Sequence, residues 1–494
     1  MRRFLITILA LYCPFGAAAV VQHYITVYSA PQARNTVSNW RPGSYPTARD
    51  IPGDALVESV RTIELKQGLN QVDLGGIGEA VDPTSLRFVS DTDPEGTRIL
   101  EQQVLFPTTD QSSLLRMYKG KTLQIEQDGE HGIQVYRGQL LNGQGGPLLR
   151  LGDGSLLWTR DPQRIVFSSP PDDLTTETTA RLHVEAAKAG AHQTRIRYET
   201  GGLTWWADYD IELDDDNDCH LSLSPWVTLL NRSGANYQSA ELRLIAGEPR
   251  RNPPPRALPM ARMVTMDAAG AGAGFSEQAV GEYHLYRLES LIDLEDESLR
   301  QIALFQPVPR VACKQRLVYE SSPGYRAPSN RPVEEVGFGI GPAQPVRVFL
   351  AFENTEDAGL GRPLPAGKVR VSSRLADQTL VLLGEDELPH TAVSAQAELE
   401  LGNAFDIRGE RKQLDFNLDT TRRTIEEEFE LSFTNGKSRP VKLEVRETLY
   451  RWYKAQILSS TIAARKTAAD EVSFDLTLPA QTKTHLRYRV RYQW

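Results

Sequence analysis

The chain has 494 residues, of which 40% are hydrophobic, 8% aromatic and 24% charged. This is the composition of a folded protein, and it excludes disorder, collagen and coiled coil. The 55 Lys and Arg against 64 Asp and Glu give a net charge of −9, which argues against a broad electrostatic surface for nucleic acid.

The first residues have the order of a secretory signal peptide. Arg2 and Arg3 precede an apolar run, and small residues follow it. Ala17 and Ala19 occupy the small-residue positions of a cleavage site, so we expect residues 1–19 to be removed. The apolar run is shorter than the roughly 20 residues that span a bilayer. We therefore expect a periplasmic or secreted protein that has no transmembrane segment after signal removal.

The next part of the chain predicts short strands. Residues 20–110 are expected to form an N-terminal β region, with a loop over 31–54 that is rich in Pro, Ser and Arg. Short apolar runs between Gly and Asp turns predict a small β-barrel-like unit over 111–175. At its start, 112–119 followed by Gly120 predicts one short helix with a serine cap and a glycine stop.

The rest of the chain predicts sandwich-like units. Residues 180–410 are expected to form a central β-sandwich with a mobile Pro, Ala and Gly loop over 248–275. Residues 289–300 fit either a helix or strands. Period-two alternation over 420–494 predicts a C-terminal immunoglobulin-like β-sandwich. The fold class is therefore mostly β and multi-domain, with a small β-barrel, immunoglobulin-like sandwich units and few short helices.

Two hairpins are predicted inside the C-terminal segment. Phe429, Leu431 and Phe433 alternate up to a turn at Asn435-Gly436, and a second alternating run begins at Val441. An Asn-Gly pair between alternating runs is a strong hairpin signal. The second predicted pair joins the runs 472–478 and 486–494.

Two cysteines remain after signal removal, Cys219 and Cys313. In an oxidising compartment they are candidates for one disulfide, and both lie beside strand-like runs. Two buried, unpaired thiols are the alternative, because a sequence does not give the Cα separation that a bridge requires.

Several ordered motifs resemble a known family. They are TGGLTWWADY at 200–209, YHLYRL at 283–288, GLGRPLPAG at 359–367 and GNAFD at 402–406. Over about residues 180–494 the chain resembles the bacterial family catalogued as domain of unknown function 4139. The segments 25–28 and 82–88 are similar to the N-terminal half of such proteins. The resemblance implies a β-rich, exported protein of uncharacterised role, and it brings no catalytic residues.

Motifs of known chemistry are absent from the sequence, so we predict no catalytic residues, no cofactor and no metal ligands. The acidic run 214–218 departs from a calcium loop, because Cys219 stands where Gly is needed and Pro225 where Glu is needed. There is no HExxH pattern for zinc and no GxSxG pattern for a serine nucleophile.

Aromatic residues supply the candidate binding site. Trp205, Trp206 and Tyr209 could present flat apolar faces to a sugar ring or a protein. Because neighbouring strand residues point to opposite faces, one Trp could lie in the core and the other be more exposed. Packing of both in the core is the favoured interpretation.

Three hypotheses on function follow. The first is an exported cell-envelope β protein that is non-catalytic and binds an envelope protein or a glycan, or serves as a scaffold. The second is a periplasmic hydrolase that uses carboxylates or a metal at a domain junction. The third is an outer-membrane-associated β-barrel, suggested by the terminal alternation with Arg487, Arg489 and Arg491 on one face. None of the three involves nucleic acid.

Overall fold

A computed structural model describes residues 21–38, 47–129, 132–171, 174–214, 219–247, 275–321, 324 and 330–494. The predicted leader with Ala17 and Ala19, positions 248–274 of the predicted loop and the acidic positions 215–218 lie outside the described residues. The described residues are mostly β, which confirms the predicted class.

Two short helices occur in the described residues, α1 (Ala33–Ser38) and α2 (Gln111–Met117), together with 3-10 turns at Ala48–Asp50 and Pro83–Ser85. The first ten strands are β1 (Gln22–Tyr28), β2 (Ala55–Leu65), β3 (Gly68–Leu74), β4 (Arg87–Ser90), β5 (Thr97–Leu105), β6 (Thr122–Gly129), β7 (Gly132–Asn142), β8 (Leu148–Leu151), β9 (Leu156–Trp158) and β10 (Arg164–Phe167).

The next ten strands are β11 (Thr179–Ala186), β12 (Gly190–Thr200), β13 (Leu203–Leu213), β14 (His220–Asn231), β15 (Tyr237–Ala246), β16 (Phe275–Val280), β17 (Tyr283–Leu288), β18 (Ile292–Leu294), β19 (Ser298–Ala303) and β20 (Val308–Glu320). The last ten are β21 (Pro345–Glu353), β22 (Gly367–Arg374), β23 (Leu380–Leu388), β24 (Gln396–Asp419), β25 (Thr424–Asn435), β26 (Val441–Thr448), β27 (Ala455–Ser460), β28 (Arg465–Ala468), β29 (Glu471–Leu478) and β30 (Lys483–Gln493).

Three local predictions are refined by these bounds. The loop predicted over 31–54 contains α1 and a 3-10 turn, and the ambiguous segment 289–300 contains β18 and the start of β19. The predicted helix forms as α2, but its cap is Asp110, whose carboxylate accepts a hydrogen bond from the Ser113 backbone N at 3.0 Å. Ser112 does not cap the helix, since its hydroxyl donates to the same carboxylate.

The chain forms two compact units, each assembled from segments that are distant in sequence. Unit 1 comprises Met1–Trp205, Leu229–Arg250 and Leu285–Arg300, and unit 2 comprises Trp206–Thr228, Arg251–His284 and Gln301–Trp494. In unit 1 one sheet has the order β17-β15-β1-β2-β12-β4, and a three-stranded sheet has the order β3-β11-β5. Each predicted domain is one continuous stretch of sequence, whereas each of these units combines three separate stretches.

A separate five-stranded sheet in unit 1 has the order β10-β6-β7-β8-β9. Four strands form a meander, and the fifth returns to pair with the first. No pairing joins the edge strands β9 and β10 in the described residues, so the β-barrel predicted for 111–175 is wrong. The strands are three to eleven residues long, and their single apolar face is covered by α2 instead of by closure.

The C-terminal part of unit 2 is a two-layer sandwich. One layer contains β24, β25, β30 and β27 in that order, and the other contains β26, β29 and β28. Their shared core includes aromatic side chains from three strands, Phe429, Phe433, Phe474 and Tyr488. Both predicted hairpins are wrong, because β25 pairs with β30 and β26 pairs with β29. Stacking the layers buries the apolar faces of all four strands.

Asn435 holds the crossing from one layer to the other. Its side-chain amide is fully buried and donates to the carbonyl oxygens of Arg439 at 3.0 Å, Leu478 at 3.1 Å and Pro479 at 3.0 Å. Its side-chain oxygen accepts from the Lys437 backbone N at 3.0 Å. The Asn-Gly signal therefore marks a corner between layers, since the amide satisfies backbone groups that have no strand partner.

We predict that Asn435→Ala lowers the free energy of unfolding by about 2–4 kcal/mol, because it leaves several buried backbone groups without a hydrogen bond. Asn417→Ala, at an exposed position of β24, should change it by about 0.5 kcal/mol or less. Urea unfolding of both variants measures the difference. Equal stabilities would contradict the role given to Asn435.

Candidate functional site

The predicted binding aromatics are buried. Trp205 is 0% exposed, Trp206 3% and Tyr209 0%. The Trp205 indole N donates to the Val27 carbonyl at 3.1 Å, and the Tyr209 hydroxyl donates to the Pro365 carbonyl at 2.7 Å. Packing of both Trp residues in the core, the favoured interpretation, is confirmed, and neither presents a face to a ligand, because Leu203–Tyr209 is buried on both faces of β13. These side chains fill the core.

The two candidate cysteines, Cys219 and Cys313, are joined by a disulfide with a Cα separation of 5.1 Å. The bridge lies between neighbouring strands, since the Cys313 backbone N donates to the Cys219 carbonyl at 2.9 Å. It closes a loop with a sequence separation of 94 residues. A bridge across so long a loop stabilises a fold by about 2–5 kcal/mol.

Two serine–histidine pairs occur in unit 1, and both are buried. His23 Nδ1 lies 2.9 Å from Ser59 Oγ, and His192 Nδ1 lies 2.9 Å from Ser90 Oγ. Both serines are only 1% exposed, so a substrate has no access to either hydroxyl. These pairs satisfy polar groups inside the sheet and are not nucleophile–base pairs.

Burial also changes the acidity of His23. Desolvation, with a smaller contribution from the Arg61 charge, lowers the pKa of His23 from 6.5 to about 4. The ring of Tyr237 packs edge-on against it at a centroid distance of 5.5 Å. The folded protein therefore keeps this histidine neutral at pH values where the unfolded chain takes up a proton.

A buried ionic cluster lies in the C-terminal sandwich. Arg411 pairs with Glu447 at 3.2 Å, and Arg451 pairs with Glu427 at 2.8 Å. The Tyr488 hydroxyl also donates to Glu447 at 2.5 Å. All four charged side chains are at most 6% exposed, so the cluster orders the core and offers no surface to a ligand. Sequence reasoning missed it, although Glu427 is in phase with the inward residues Ile425 and Phe429.

A shallow cleft of about 430 Å³ opens in unit 1 beside β15 and β18. Its acidic lining residues are Asp293 and Glu295, both exposed. The Asp293 carboxylate accepts from the Ser239 backbone N at 2.7 Å, which ties it to the turn. The carboxylates remain in water, and this arrangement does not provide the desolvated acid–base pair that hydrolysis needs.

The five-stranded sheet has a packed face. Its core contains Leu115 and Tyr118 from the α2 region and Leu123, Ile125, Leu140 and Leu149 from β6, β7 and β8. Gly138 lies on this face, where a Cβ atom would come 2.6 Å from the Arg150 carbonyl oxygen. Because glycine has no Cβ atom, β7 and β8 can approach closely enough to pair beside Arg150.

The opposite face of this sheet is exposed, and we call it the Trp158 face. Trp158 is 59% exposed and Leu156 is 62% exposed. Alternation along the strands places the following side chains on this face: Thr122, Gln124, Glu126, Asp128, Ile133, Val135, Arg137, Gln139, Leu148, Arg150, Leu156, Trp158, Arg164 and Val166. Large apolar side chains and long polar ones are therefore mixed on one open sheet surface.

The strand register defines the geometry of the Trp158 face. Arg150 on β8 lies opposite Gln139 on β7 and opposite Leu156 on β9. Arg137 and Trp158 each lie one diagonal step from Arg150, on opposite sides of it. Diagonal neighbours have Cβ atoms about 7–8 Å apart, within reach of long and aromatic side chains. Arg137, Arg150 and Trp158 thus form one line across three strands.

Many arginines on other sheet faces have carboxylate partners. The row Arg487, Arg489 and Arg491 on β30 faces Glu430, Glu428 and Glu426 on β25, with contacts of 2.6 Å in each pair. The glutamates of β25 therefore form ion pairs with the terminal arginine row that is visible in the sequence. On the Trp158 face, Arg164 pairs with Glu126 at 3.2 Å. Arg137 and Arg150 are exposed and contact no carboxylate of the described residues.

The Trp158 face was missed in the sequence. Short strands are predicted over 111–175, but the prediction does not say which side chains of each strand face outward. Leu157 packs against the core of this sheet, so Leu156 and Trp158 have to point outward. The pattern that predicts this face is a Trp at a position that alternates with the buried positions of a short strand.

In the described ranges, no group of three or more His, Cys, Asp or Glu is placed to hold a metal ion. Within the same ranges, no helix is long and apolar enough to cross a membrane. In comparisons with known proteins, neither the family models nor the curated proteins gave a match.

We predict that the neutral state of His23 makes the protein less stable in acid. Its folded pKa of about 4 lies below the ordinary 6.5, so this contribution is complete above pH 6.5 and is lost as the pH falls towards 4. The loss should reach about 3 kcal/mol. Urea unfolding between neutral pH and about pH 4 measures it.

The variant His23→Gln should lose less stability than the wild type over this range, because the glutamine stays neutral. The matched variant His485→Gln changes an exposed ring and leaves His23 in place, so its acid loss should equal that of the wild type. An unchanged acid loss in His23→Gln would refute the assignment.

Proposed function

We propose that the protein is an exported cell-envelope β protein, periplasmic or secreted, that binds a glycan through the Trp158 face and does not catalyse a reaction. Exposure of Trp158 beside Leu156 and Arg150 is the observation that carries the proposal. The family resemblance described above, to an exported β-rich group of uncharacterised role, is part of the same proposal.

The chemistry of the Trp158 face supports glycan binding. A sugar ring has an apolar face and a polar rim, and a flat indole can stack on the first while amides and guanidinium groups bond to the second. Arg150 lies a diagonal step from the indole, and Gln139 lies opposite Arg150 with its side-chain N donating to the Gly120 carbonyl oxygen at 2.8 Å. Open faces of small five-stranded β units bind oligosaccharides in other proteins.

The disulfide supports export. Cys219 and Cys313 are bridged, and such bridges persist in oxidising compartments, whereas cytosolic thiols are kept reduced. A secretory signal at 1–19 with cleavage after Ala19 would deliver the chain to such a compartment. The proposal assigns recognition to this protein and not hydrolysis, since both serine–histidine pairs are inaccessible.

We predict that Trp158→Ala weakens binding to an immobilised glycan by about tenfold or more, because an aromatic side chain that stacks on a sugar ring carries much of the binding energy. The assay is a glycan array, followed by titration of each glycan that binds. Phe405→Ala removes an aromatic that is 87% exposed and lies outside the Trp158 face, and it should bind like the wild type. Loss of binding in both variants, or in neither, would reject the site.

We also predict that the mature protein begins at Val20 and is found in the periplasm or the medium. Fractionation followed by N-terminal sequencing checks this. Ala19→Arg should block cleavage and cause the precursor to accumulate, because the peptidase requires a small residue there. Finding the protein only in the cytosol would contradict export.

A further inference from the structure

We infer that the ligand of the Trp158 face is a carboxylate-bearing polysaccharide whose chain lies along the line from Arg137 through Arg150 to Trp158. This inference rests on the glycan-binding function proposed above and specifies the class of glycan. It follows from three features of the face: the two arginines without carboxylate partners, their spacing, and the position of the indole at the end of the line.

The line is long enough for an extended polymer. Arg137 lies two residues before Gln139, the partner of Arg150, and Trp158 lies two residues after Leu156, the other partner of Arg150. The strands alternate in direction, so the two diagonal steps continue in the same sense. At about 7–8 Å per step, the line is about 15 Å long between the outer Cβ atoms. A single sugar would leave part of this line empty.

The charges on the line favour an anionic ligand. Many arginines on the sheet faces of this protein pair with a carboxylate on a neighbouring strand, as Arg164 does with Glu126 on this same face. Arg137 and Arg150 are among the exposed strand arginines that contact no carboxylate of the described residues, and they lie one diagonal step apart. Their unmatched charges stand out because the whole chain is acidic, with a net charge of −9.

Carboxylates are the anions that fit this geometry best. The planar guanidinium presents two parallel N–H groups that match the two oxygens of a carboxylate. Two such groups a diagonal step apart can hold acidic substituents of one polymer, and Trp158 then stacks on a ring further along. A nucleic acid needs a wider basic surface to neutralise its phosphates, and the acidic chain does not offer one.

Binding to defined polymers tests the inference. The full mature protein is titrated with polygalacturonate and with alginate, then with methyl-esterified polygalacturonate, which keeps the sugar chain but removes the charge. We expect binding to at least one acidic polymer, and about tenfold weaker binding after esterification, because a hydrogen bond to a charged group is lost at each arginine. Added salt should weaken binding to the acidic polymer only.

Variants separate the inference from the proposed function. Arg137→Gln and Arg150→Gln should each weaken binding to the acidic polymer by about tenfold and leave binding to the ester unchanged. Arg197→Gln removes an exposed arginine of β12, outside the Trp158 face, and should have no effect. Circular dichroism and urea unfolding verify that the variants are folded.

Each other outcome has a definite meaning. If the acidic and esterified polymers bind equally and only Trp158→Ala weakens them, the anionic assignment is wrong and the glycan function stands. Equal binding of inorganic polyphosphate would overturn the choice of carboxylate. If neither acidic polymer binds while neutral glycans do, the inference fails alone. If no polysaccharide binds, the proposed function fails with it.

Discussion

A buried asparagine amide at the end of a strand is the interaction on which the layered architecture depends. Asn435 follows this pattern in the C-terminal sandwich, and two other residues repeat it. Asn231 ends β14 and donates to the carbonyl oxygens of Ala235, Leu294 and Glu295 at 3.0–3.2 Å. Asn354 follows β21 and also donates to three carbonyl oxygens, those of Arg362, Thr391 and Ala392. Where the chain leaves a sheet, its carbonyls lose their ladder partners, and one amide replaces several of them.

Pairing of charges is a second consistent feature of the sheets. On β25 and β30 the arginines and glutamates face each other strand to strand, and the inward pairs Arg411–Glu447 and Arg451–Glu427 extend the same matching into the core. Exposed pairs of this kind contribute little to stability, typically below about 1 kcal/mol. Their effect is to match many of the arginines on the sheet surfaces, whereas Arg137 and Arg150 lie one diagonal step apart and contact no carboxylate of the described residues.

The fold class and many strands could be predicted from the sequence because alternation is a local property. Phe429, Leu431 and Phe433 point inward as their spacing predicts. The pairing of strands could not be predicted in this way, because it depends on long-range contacts. Asn435-Gly436 has the composition of a hairpin turn, but Asn435 bonds to carbonyls 43 and 44 residues away in sequence. That long-range contact, and the need to bury both apolar faces, decided the topology, and neither is encoded in the turn itself.

The same distinction between local and long-range information applies to the candidate sites. For Trp205 and Trp206, alternation indicated opposite faces, and it was correct on that point, but exposure depends on what covers each face of β13. For Trp158 the covering is local, because the core of the five-stranded sheet comes from its own strands and from the adjoining α2 region. A short alternating strand with Leu157 inward was therefore sufficient to place Trp158 outward.

The small size of the five-stranded sheet suits it to recognition. A sheet that packs one face on a core of its own leaves the other face free for a ligand. Its exposed side chains include Ile133, Val135 and Leu156 on the same face as Trp158. In the larger sandwich, by contrast, both layers pack against a common core. The outer arginines of β30 pair with the glutamates of β25. The proposed recognition site therefore lies where the sheet is open and one-sided, and where Arg137 and Arg150 contact no carboxylate of the described residues.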